Sequence, residues 1–98
     1  MAFTFTAPLW LWHGNGPAAW FFITVPAEIS DDIEQQTDGL RGGFGSVKVS
    51  VTVGSTTWST SLFPSSQHEA YILPMKKPVR VAEELDEGDA VRVRLEIV

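Results

Sequence analysis

Few side chains in this chain are of a type that does covalent chemistry. There is no cysteine among its 98 residues, so a thiolate nucleophile, a disulfide and a thiolate metal site are all excluded. Two histidines are present, His13 and His68. Ser65 and Ser66 lie just before His68, but neighbours in sequence rarely form a nucleophile–base pair, because a triad is assembled by the fold. Neither His-Glu-x-x-His nor Gly-x-Ser-x-Gly occurs. The expectation is no catalytic residue, no metal ligand set and no cofactor. Gly42, Gly43 and Gly45 lack the spacing of a phosphate-binding loop and suit a turn or the start of a strand.

What remains is binding chemistry. Lys76, Lys77 and Arg80 surround the start of a short helix and could hold an anion. The alternative is a solvated face, with Arg80 paired to Glu84 and Lys76 to Glu83. Tyr71 or His68 could move a proton beside such an anion. The four tryptophans are Trp10, Trp12, Trp20 and Trp58, and they could line a pocket or meet a partner. Lys76, Arg80, Trp20, Trp58 and Tyr71 are the candidate ligand-binding set. Trp10 and Trp12 share one face of their strand, opposite Leu9 and Leu11, so both faces of that strand are apolar. That points to core or to an interface with a second copy.

These side chains must be positioned by strands. Phe3 to Ala7 alternates, Pro8 suggests an edge or a bulge, and Leu9 to Trp12 resumes the pattern. Gly14 to Pro17 is a turn, and Ala19 to Val25 returns as a strand with two apolar faces, expected to be central and covered on both sides. Pro26 opens a short helix with Ile29 and Ile33 as its stripe, ending at Asp38-Gly39. Val47 to Val53 is the cleanest strand, and Gly54-Ser55 is a hairpin turn. Thr56 to Phe63 follows, with Pro64 to Gln67 as a loop. His68 to Leu73 is the next strand. Pro78 to Leu85 suits a helix with Val79, Ala82 and Leu85 inward, and Val91 to Ile97 closes the chain as a strand. The sum is one mainly β domain over residues 1–98, with six strands closed as a barrel and two short helices. No internal repeat is visible.

Charge narrows the partners. Residues 1–40 carry five acids and no base, while the seven bases and seven acids of residues 41–98 cancel, leaving −5 overall. Such a balance disfavours nucleic acid, which needs clustered Lys and Arg. The apolar start, Met1 to Trp12, has no preceding positive region and is too short to span a bilayer, so it reads as strand, and no membrane association is expected. Absence of cysteine fits a cytoplasmic protein.

Five segments together resemble a known family. They are Gly-Pro-x-x-Trp-x-x-x-x-Val-Pro at 16–26, Gly-Phe-Gly-Ser-Val at 43–47, Trp-Ser-Thr-Ser-Leu-Phe-Pro at 58–64, Leu-Pro-x-Lys-x-x-Val-Arg at 73–80 and Glu-Gly-Asp at 87–89. They resemble the bacterial family called domain of unknown function 1905, across essentially the whole chain. The resemblance implies a double-split β-barrel, the broad fold of AbrB-like proteins, and no defined activity. A non-enzymatic module, self-associating through its aromatic surface, is the reading the residues favour. An AbrB-like nucleic-acid-binding regulator and an enzyme or module holding a small anionic ligand are the alternatives.

Overall fold

Alternating Val, Leu and Ile with Thr, Ser and Arg forces one face of each ribbon inward, and a closed ring of such ribbons leaves no ladder edge unpaired. The computed structural model describes residues 2–13, 19–39 and 45–98. The expected turn at Gly14–Pro17, the glycines Gly42 and Gly43, and the His13 side chain lie outside the described residues. The elements are β1 (Ala2–His13), β2 (Ala19–Thr24), α1 (Ala27–Gln36), β3 (Val47–Val53), β4 (Thr56–Ser65), β5 (Ala70–Pro74), α2 (Lys77–Ala82) and β6 (Ala90–Ile97). The strands close as β1-β2-β5-β4-β3-β6, every neighbouring pair antiparallel. The expected six-stranded barrel with two short helices is what forms.

Two long strands make closure possible, because each serves two sheets. β1 pairs with β6 from Ala2 to Pro8 and with β2 from Leu9 to His13. β4 pairs with β3 from Thr56 to Leu62 and with β5 from Phe63 to Ser65. Pro8 therefore marks a change of partner within one continuous strand, not an edge. The next residue completes the change: Leu9 N–H donates to Asp89 O at 2.9 Å, and Leu9 O accepts from Gly88 N–H at 2.7 Å. Pro64 is likewise a strand residue rather than the loop expected from its type. It lies opposite Tyr71. The Tyr71 carbonyl accepts from Val25 N–H at 2.9 Å, so the donor that proline lacks is not needed there, and the Tyr71 N–H goes to Ser30 Oγ at 3.1 Å.

The element order β-β-α-β occurs twice, β1 to β3 and β4 to β6. Topology repeats where the sequence shows no repeat, because the same hydrogen-bonding plan tolerates different side chains.

The core is the barrel interior. Val49, Val51, Ile23, Leu62, Leu73, Val93 and Leu95 are fully buried. Each contributes about 1.5–3 kcal/mol relative to an exposed side chain. Ile33 of α1 is buried with them, and Ile29 packs against them. α2 is shorter than its pattern predicts, ending at Ala82. Glu84 then adopts φ 53°, and Leu85 N–H donates back to Arg80 O at 2.8 Å. This exit brings Leu85 to the core beside buried Val79, while Ala82, expected inward, faces solvent. Among the described residues no helix is long and apolar enough to cross a membrane.

Candidate functional site

The barrel has two outer walls of opposite character. Where β1, β6, β3 and β4 pair, the outward residues are Thr4, Thr6, Arg92, Arg94, Glu96, Ser50, Thr52, Thr57 and Ser59. This is the polar exterior that a solvated sheet requires. Where β1, β2, β5 and β4 pair, the same outward parity carries Trp10, Trp12, Trp20, Phe22, Ile72 and Phe63. The switch occurs inside single strands. β1 presents Thr4 and Thr6, then Trp10 and Trp12; β4 presents Thr57 and Ser59, then Phe63. Each change falls where the strand exchanges partners.

On the apolar wall Trp12 lies directly opposite Trp20, and Trp10 opposite Phe22. Trp12 is 46% exposed, Trp20 51% and Phe63 42%. Trp10 is fixed. Its Nε1–H donates to Thr24 Oγ1 at 2.9 Å, and its ring lies 5.2 Å from Phe22 and 4.8 Å from His68. The bound indole supplies a rigid ring beside the two free ones. β2 was expected to be covered on both faces, and it is not. Ile23 on its inner face is wholly buried while Trp20 on the outer face is half exposed, because Ile29 and Ile33 of α1 and Val79 of α2 pack against the barrel core and neither helix covers this wall.

The five residues singled out from sequence are spread over four places. Trp20 is on the apolar wall. Trp58 lies opposite Val51 and packs inward against the core. Tyr71 is buried and lines a cleft of about 400 Å³ with Ser30, Asp31, Glu34, Ser65, Ser66 and Glu69. Lys76 is exposed before α2. Arg80 is half buried: its Nε–H donates to Met75 O at 3.0 Å and its guanidinium stands 3.9 Å over the Phe21 ring. The ion pairs expected around α2 do not describe it. Glu83 turns instead to the β3–β4 hairpin, accepting from Thr56 Oγ1 at 2.6 Å and Ser55 Oγ at 3.4 Å. Ser65 and Ser66 line the cleft beside α1, whereas the His68 ring packs tilted against Trp10 on the aromatic wall.

Sequence reasoning missed Phe63 and His68 as members of the aromatic wall, and Phe21 as the platform under Arg80. The signal for Phe63 was parity: carrying the β4 alternation through Pro64 sets Phe63 on the face opposite Leu62. His68 was expected to open the next strand, but that strand starts only at Ala70, so His68 falls in a turn and strand parity does not place its ring.

No curated protein matches the chain. The model of the family described as Domain of unknown function (DUF1905) matches residues 5–95, nearly the full barrel from β1 to β6. The chain belongs to the DUF1905 family.

Proposed function

We propose that this barrel is a non-enzymatic interaction module that associates with a second copy of itself through the aromatic wall. One observation carries the reading: β1 and β4 alternate polar-out on one wall and ring-out on the other, without breaking strand parity. Core packing does not require outward rings, so the wall has another use.

A second copy suits the chemistry of the wall. None of the six wall residues named above carries a charge, so two such faces meet without burying an unpaired ion from them. Its half-exposed rings leave on the order of 400 Å² of apolar surface in water. That is short of the ~800 Å² per partner of a standard stable interface, so the association is weak and concentration dependent. Nucleic acid fits less well, because stacking on rings needs flanking cations, and the outward Arg92 and Arg94 lie on the other wall, where Arg94 pairs with Glu96. The cysteine-free composition suits the reducing cytoplasm, where this reading sets the module.

Light scattering across a wide concentration range tests it. The mass is expected to rise toward twice that of the chain, and the double variant Trp12→Thr, Trp20→Thr is expected to remain at the monomer mass. A chain that stays monomeric at the highest concentration overturns the reading, as does a variant that associates equally well.

A further inference from the structure

The two halves of the barrel correspond residue by residue where β2 meets β5. Phe22 pairs with Pro74, Ile23 with Leu73 and Thr24 with Ile72, so the ladder reads alike from either strand. Val25 N–H donates to Tyr71 O at 2.9 Å, and Met75 N–H to Phe21 O at 2.8 Å. Val25 therefore matches Met75, and five residues later Ser30 matches Arg80. The match extends to hydrogen bonding: Ser30 Oγ donates to Val25 O at 3.2 Å, and Arg80 Nε to Met75 O at 3.0 Å.

One hydroxyl satisfies that carbonyl in the first half. Arg80 satisfies its counterpart with one of five N–H donors, and the rest of the guanidinium is surplus to the fold. The group is also held still, resting on the Phe21 ring and half buried. Among the described residues, which include every acid of the chain, no carboxylate lies within ion-pairing distance of Arg80. A fixed, partly desolvated guanidinium with an unused edge is a receptor for a planar oxyanion.

We infer that Arg80 is the recognition group of a site for a small carboxylate. The cleft it lines is about 290 Å³ and is shared with Lys77, Val81, Glu84, Leu85 and Asp86. That is the size of a small metabolite, at the lower end for ligand sites. Two cations and two acids share this cleft, so a polyvalent phosphate meets repulsion from Glu84 and Asp86. A monocarboxylate meets less, and an amino-acid zwitterion offers its ammonium to those acids. The site is separate from the aromatic wall and independent of self-association.

The test uses the full chain and the variant Arg80→Ser, which keeps the bond to Met75 O in the form that Ser30 already makes. Thermal unfolding and amide chemical shifts are recorded with acetate, glycine and inorganic phosphate, each against sodium chloride of equal ionic strength. Acetate and glycine are expected to raise Tm above the chloride control, glycine at least as much as acetate and phosphate least. Shifts should centre on α2 and Phe21. Arg80→Ser should weaken carboxylate binding about tenfold, the loss of one charge-assisted contact. Arg80→Lys, which keeps the charge without the fork, should fall between them. A chain that responds only to ionic strength overturns the proposal. So does an Arg80→Ser protein, folded by its Tm in chloride, that binds carboxylate as well as the parent, or phosphate binding more tightly than either carboxylate.

Discussion

The Glu83 carboxylate occupies the space that a side chain at Gly54 would need. Gly54 is the first residue of the two-residue turn between Val53 and Thr56 and has φ 58°, a conformation that favours glycine. The same carboxylate accepts from Thr56 Oγ1, so the end of α2 is tied to the hairpin by a contact that only glycine permits. Gly54→Ala should cost about 2 kcal/mol in backbone strain, plus about 1 kcal/mol as Glu83 is displaced from Thr56. In a urea-denaturation cycle with Glu83→Ala, the two losses should be less than additive. Strict additivity would show that Glu83 does not press on the turn.

Trp20 and Trp58 should respond oppositely to truncation. Trp20 is half exposed on the outer wall, and Trp20→Thr should change stability by no more than about 0.5 kcal/mol. Trp58 packs on the core opposite Val51, and Trp58→Thr should cost about 3 kcal/mol. Urea midpoints of the two variants, measured at a concentration where the chain is monomeric, check the contrast.

Ser30 is buried in α1 and ties the β2–α1 connection to β5: its hydroxyl donates to Val25 O and accepts from the Tyr71 N–H. Ser30→Ala should cost about 2 kcal/mol, because a buried amide and a buried carbonyl lose a partner together. Hydrogen exchange at the Tyr71 amide should rise well beyond the change in global stability. An unchanged rate there would refute the assignment of the bond.

Arg94 and Glu96 pair on the polar wall, each about half exposed. Such a pair is screened by water and salt. Glu96→Gln should shift stability by less than about 0.5 kcal/mol, and the difference should vanish at high salt. A larger, salt-resistant loss would mean that the pair is part of a buried network.

Much of this architecture was legible from alternation. Val47 to Val53 and Val91 to Ile97 show their buried face in sequence, since polar residues separate the valines and leucines and only one register buries them. The helix at Ala27–Gln36 was readable from Pro26 and the Ile29–Ile33 spacing, for the same reason at a different period. The candidate site was less legible. Lys76, Arg80, Trp20, Trp58 and Tyr71 are residues of the right types, but sequence carries no information on which of them converge, and they occupy different faces.

Period-two chemistry, then, dictated a ring of half-greasy ribbons with no reactive constellation, because side-chain direction alternates whatever the strand's neighbours are. Tertiary pairing alone decided which apolar face of β1 and β2 became interior and which stayed in water. With rings on one side and Leu9, Leu11 and Ile23 on the other, either choice buries hydrophobic surface. The outcome rests on where β1 leaves β6 for β2, a choice made by residues distant in the chain. The same distant contacts set Arg80 on Phe21 and sent Glu83 to Gly54, pairings that no local spacing encodes.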